Sequence, residues 1–142
     1  MMNFMPGCIL CGSGAEFDVD RFLVSSPWSG TAEIFRRGPT GAAYRPIRKY
    51  SSLQIEVSPI DEDLLEPQVN ATLAFLRSYE AEVRRLVTFP GVEAVEFRIG
   101  LFWLPDTAIY PISLTSSFLK AVGDVGASVD IYVYASDGIK TV

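Results

Sequence analysis

Three segments alternate apolar and polar side chains with a period of two, the mark of a strand with one buried and one wetter face. In residues 52 to 58, Leu53, Ile55 and Val57 point one way, Gln54 and Glu56 the other. The longest run covers residues 92 to 104. There Val95, Phe97, Ile99, Leu101 and Trp103 share a face opposite Ala94, Glu96, Arg98, Gly100 and Phe102. Towards the end, Ala127, Val129, Ile131, Val133 and Ala135 alternate with Ser128, Asp130, Tyr132, Tyr134 and Ser136. Weaker strands are expected at residues 31 to 36 and 8 to 12.

Residues 64 to 88 follow a different rhythm. Leu65, Val69, Leu73, Leu76, Tyr79, Val83 and Leu86 recur at steps of three and four, which predicts one long helix. Pro67 suits its first turn, Glu80 and Arg84 form a surface pair, and Pro90 with Gly91 ends it. A short helix is expected from Asp18 to Ser25 with Asp18 as its cap. Another follows Ser113, carries Leu114, Phe118, Leu119 and Val122, and closes at Gly123 or Gly126.

The order strand, helix, strand, strand, helix, strand, helix, strand predicts a single α+β domain over residues 1–142. Its antiparallel or mixed sheet would have about five strands with helices on one face. The first six elements fit a ferredoxin-like βαββαβ core, to which a C-terminal helix and strand are added. Residues 38 to 50, rich in Gly and Pro, form the hairpin loop between the second and third strands. On this reading Trp103→Ala is a core truncation costing about 3 to 5 kcal/mol, whereas Arg98→Ala costs little without a partner.

Composition narrows the function. The chain of 142 residues has no histidine, so the usual general base and the commonest metal ligand are missing. Hydrophobic residues make up 49%, enough for a core without a metal or disulfide, and no stretch reads as a membrane span. The opening MMNFMPGCIL lacks the basic residues of an export signal, so the cytoplasm is the expected location. A net charge of −5 works against nucleic acid and anionic membranes as partners.

Cys8 and Cys11 form a C-x-x-C, but a complete zinc site needs four N or S ligands, and a strand directs these two thiols to opposite faces. Two inert thiols are expected. Gly12, Ser13 and Gly14 sit where a turn could offer N–H groups to a phosphate, yet Glu16, Asp18 and Asp20 follow and repel one, leaving an ordinary strand-to-helix turn. Asp61, Glu62, Asp63 and Glu66 lack calcium-loop spacing and suit the negative charge a helix N-terminus favours. Ser116 and Ser117 precede Lys120 without the context of a serine–lysine nucleophile. No cofactor, metal or catalytic residue is assigned.

Two surfaces remain. If the long and last strands pair, Glu96, Arg98, Phe102, Asp130, Tyr132 and Tyr134 line one sheet face, a mixed charged and aromatic surface suited to a protein or ligand. The loop offers Arg45, Arg48 and Lys49 interleaved with Tyr44 and Tyr50, a pattern for an acidic partner patch or stacked nucleic acid. Overall acidity favours the protein partner.

The segments FDVDRFL (17 to 23), LQIEVS (53 to 58) and GASVDIYVY (126 to 134), with the single long helix, resemble the bacterial family catalogued as domain of unknown function 4279. The likeness spans about residues 8 to 135. It implies a small bacterial α+β protein and carries no activity, ligand or catalytic residue with it. The expected role is a non-enzymatic interaction domain, most sharply an immunity-type inhibitor of a bacterial toxin. A sensor holding an anionic or aromatic metabolite against Arg98, Tyr132 and Tyr134 is the alternative, and a metal-assisted carboxylate enzyme comes third. Partners expected are a protein or a second copy of the chain.

Overall fold

The computed structural model describes residues 7–39, 47–103, 106 and 108–135. Its elements run β1 (Gly7–Gly14), α1 (Val19–Leu23), β2 (Glu33–Phe35), β3 (Ser51–Glu56), α2 (Leu65–Thr88), β4 (Ala94–Trp103), α3 (Ser116–Asp124) and β5 (Ser128–Ala135). The five strands form one mixed sheet in the order β2-β3-β1-β4-β5. Strand β1 is central and antiparallel to both β3 and β4, while β5 runs parallel to β4. The α+β class, the mixed five-strand sheet and the helices on one face are as expected.

The period-two pattern decides which side of the sheet the helices cover. Cys8 and Leu10, Leu53 and Ile55, and Val95, Phe97, Ile99 and Leu101 all join one buried cluster. Phe22 and Leu23 from α1, Leu76, Val83 and Leu86 from α2, and Phe118 and Val122 from α3 complete it. Polar anchors hold the layers in place. The Arg85 guanidinium lies 3.9 Å over the Phe22 ring and donates to the Phe22 carbonyl, which ties α2 to α1. None of the described helices is long and apolar enough to cross a membrane.

Helix ends follow their caps. Asp18 accepts from the Arg21 N–H at 3.0 Å and starts α1, and Thr115 accepts from the Phe118 N–H at 3.2 Å to start α3. Gly126, with φ of 87°, ends α3 while the Ala127 N–H reaches back to the Val122 carbonyl. Within α2, Tyr79 leaves helical geometry (φ −129°, ψ 25°), its ring packed against Phe75 and Trp28.

Two expectations change. Trp103 lies at the end of β4, is 36% exposed and leans on Tyr110, so its truncation should cost well below the core range. The core tryptophan is Trp28, 2% exposed and stacked on Phe75. Strand β1 runs past its expected end at Gly12, so Ser13 and Gly14 belong to it rather than to a turn. A Cβ on Gly12 would lie 2.9 Å from Leu86, and one on Gly14 would run into the Gly91 carbonyl. These glycines admit neighbouring backbone and helix.

Candidate functional site

The outer face of the sheet, away from the helices, gathers the charged residues. In the parallel pairing of β4 with β5, Arg98 stands opposite Asp130, Gly100 opposite Tyr132 and Phe102 opposite Tyr134. On the other side of β4, Cys11 stands opposite Glu96 and Ile9 opposite Arg98. Pairing therefore brings Glu96, Arg98, Phe102, Asp130, Tyr132 and Tyr134 onto one surface, as the alternation implied.

A groove of about 410 Å³ crosses this surface. Ile9, Gln54 and Gly100 contribute to its lining, with Glu33 towards β2, Tyr132 and Tyr134 from β5, and Ile60 from the segment after β3. Arg98 lies within it. Its guanidinium is 5.5 Å from the Tyr132 ring centre and 3.8 Å from a Glu96 oxygen. The Arg98 Nε is buried with no hydrogen-bond partner among the described residues. Tyr132 and Tyr134 are 6.5 Å apart, and Phe102 is 6.1 Å from Tyr134.

Electrostatics single out Glu96, which is only 6% exposed. Burial pushes its carboxyl above the ordinary value, the Arg98 guanidinium opposes this, and the Asp130 carboxylate adds to it. The folded pKa thus exceeds the unfolded one. Glu96 favours the folded state most fully below the ordinary carboxylate range, and that contribution is lost as pH rises through the elevated value. Glu96→Gln is expected to flatten the pH dependence of stability in that window, read by urea denaturation at stepped pH. An unchanged slope would count against a perturbed carboxyl.

The thiols occupy opposite faces. Cys8 lies in the core with its Sγ 3.3 Å from the Thr72 hydroxyl, and burial pushes its pKa to about 11. Cys11, buried beneath the outer-face charges, is also raised, first by burial and then by Glu96 and Asp130 against Arg98. Protonated thiols are poor nucleophiles and poor metal ligands at neutral pH. Native protein is expected to resist a thiol reagent that labels both cysteines in urea; fast labelling without denaturant would contradict this burial.

The remaining sequence features are used structurally. Glu62 accepts from the Leu64 N–H at 3.1 Å just ahead of α2, and Glu66 lies in the helix's first turn. Ser117 contacts the α3 cap Thr115, and Lys120 pairs with Asp124 at 2.9 Å. Among the described residues no three Cys, Asp or Glu converge as a metal site.

The basic loop stands apart from the groove's centre. Arg48 lies 5.0 Å over Phe35 on β2, and its backbone pairs with Gly38. Lys49 and Tyr50 are exposed, and Arg45 with Tyr44 lies outside the described residues. Because β2 and β5 are opposite edges of a five-strand sheet, four strand spacings, roughly 19 Å, separate the loop side from Asp130 and Tyr132. The two surfaces expected from sequence are thus opposite ends of one face. Ile9, Glu33 and Ile60 were not foreseen, because their membership depends on strand order, which alternation alone does not reveal.

Comparison with protein-family models, with curated proteins and with solved structures finds no match for this chain.

Proposed function

We propose that this chain is a non-enzymatic interaction domain whose outer sheet face receives a basic protein partner. One observation carries the reading. Glu96 and Asp130 flank the Arg98 guanidinium, which Glu96 already pairs, and Glu33 lines the same groove from β2, so this stretch of the face carries more negative than positive charge. Tyr132 and Tyr134 add aromatic rings that accept a Lys or Arg head group while shedding water at low entropic cost. A net charge of −5 draws a cationic partner to the chain, and the local acidic residues favour that face. Its sharpest form is an immunity-type inhibitor that covers a basic bacterial toxin.

Charge reversal tests this directly, with a decalysine peptide as probe. Glu33→Lys combined with Asp130→Lys is expected to weaken binding by about tenfold or more. Reversing Glu80 and Asp124, on the helical side, should change it little, since exposed ion pairs there contribute little. Equal losses from both pairs would mean that net charge alone, and no particular face, is responsible. For the toxin form, co-expression with the product of the neighbouring reading frame should give a stable complex that the outer-face variant abolishes.

A small ligand is the second reading, favoured by the groove's volume and by the unpartnered Arg98 Nε. An anion there must displace Glu96 from Arg98. Benzoate is a suitable probe, because a ligand at 100 times its Kd adds about 2.7 kcal/mol of stability and raises the melting temperature measurably. No shift at saturating benzoate leaves the protein-partner reading alone.

A further inference from the structure

The two edges of the sheet are protected very differently. At one edge, β2 has only three residues, carries Glu33, and is followed at once by Arg36 and Arg37, which pair with Asp20 and Glu16. Such a short, charged edge discourages pairing with another chain. At the other edge, β5 extends for eight residues, Ser128–Ala135, and pairs only with β4 among the described residues. It has no proline and no lysine, and Asp130 is its one charge. Tyr132 and Val133 are 41% and 42% exposed. A long, nearly uncharged edge of this kind offers a full row of backbone donors and acceptors to another strand.

We infer that β5 pairs antiparallel with β5 of a second copy, joining two five-strand sheets into one ten-strand sheet across a two-fold axis. A two-fold axis normal to the sheet keeps both helical layers on the same side and must lie midway between the two copies of one residue of β5. Centring it on Asp130 sets two carboxylates face to face, which disfavours that register. Centring it on Ile131 sets Asp130 of each copy opposite Tyr132 of the other, so each carboxylate meets a phenol donor. On the helical side the same register sets Ile131 against its own copy and Val129 against Val133, extending the row of β-branched side chains. The occupant that this strand complements, in both charge and apolar pattern, is itself.

The dimer does not rest on the basic-partner reading, and salt separates the two. Two copies at −5 each repel, so screening should strengthen self-association, whereas it should weaken binding of a cationic partner. Sedimentation of the full chain across a concentration series is expected to show a monomer–dimer equilibrium that shifts towards dimer with added salt. Val133→Lys should make it monomeric with an unchanged far-ultraviolet spectrum. Should that variant fail to fold, cysteine pairs still decide the register. Ile131→Cys alone should cross-link two copies on mild oxidation, and Val129→Cys should cross-link only to Val133→Cys. A chain that stays monomeric to its solubility limit overturns the inference, as does a dimer that survives Val133→Lys or cross-links in another pattern.

Discussion

Gly91→Ala is expected to lower stability by about 3 kcal/mol or more, because it combines left-handed backbone strain with overpacking against fixed backbone. Gly91 has φ of 87° and forms the turn between α2 and β4. A Cβ there would run into the carbonyl of Glu16, and a Cβ on Gly14 would run into the carbonyl of Gly91. The end of β1 and the turn before β4 thus touch backbone to backbone, with no flexible side chain to yield. Next to them the Glu93 N–H donates to the Ser13 carbonyl at 2.8 Å, and the Glu93 carboxylate accepts from the Ala15 N–H at 2.7 Å. Urea denaturation reads the loss. Gly123→Ala is the control, since a Cβ there meets nothing and φ is not positive; it should be neutral or stabilise α3 by about 0.5 to 1 kcal/mol. Comparable losses at both sites would mean that contact, as opposed to general helix or turn propensity, has been misjudged at Gly91.

Gln68→Leu is the second large effect, expected to cost about 2 to 5 kcal/mol because it leaves two buried backbone groups without partners. Gln68 is fully buried on α2, and its amide grips one residue of β4 twice. The side-chain Nε2 donates to the Gly100 carbonyl at 2.7 Å, and the Oε1 accepts from the Gly100 N–H at 3.1 Å. Gly100 stands opposite Gly7, the first residue of β1, so the amide continues the ladder where the neighbouring strand begins. Leucine matches the volume but can satisfy neither group. Hydrogen exchange separates this from general loosening. The Gly100 amide should lose far more protection than the Phe97 amide, and uniform loss along β4 would argue that the amide bond is incidental.

Periodicity revealed the two faces of the sheet well, since a strand's alternation is a local property and survives without knowledge of its neighbours. It placed Glu96, Arg98, Asp130, Tyr132 and Tyr134 together correctly once β4 and β5 paired. It failed where burial depends on position along the strand. Trp103 has the right parity for the core but stands at the last residue of β4, where packing runs out. Gln68 and Thr72 escaped notice because a helix reading keyed to apolar residues passes over polar ones at core spacing, although both are fully buried. The glycines of β1 looked like a turn because glycine signals either conformational freedom or missing volume, and only tertiary contacts distinguish the two. Nor could local pattern show that the basic loop and the acidic end of the face lie at opposite edges.

The central position of β1 shapes how the chain is made. Its partners arrive late: Gly7 waits for Gly100, a delay of roughly 5 to 20 seconds at ordinary ribosomal elongation rates. Early in that interval GCILCGSG emerges with neither flanking strand in place, and until β4 follows it can pair only with β3, which leaves its β4 side open. Nascent chains of this protein should therefore depend on holding chaperones far more than the finished fold does, and most misassembly should date from before β4 is synthesised.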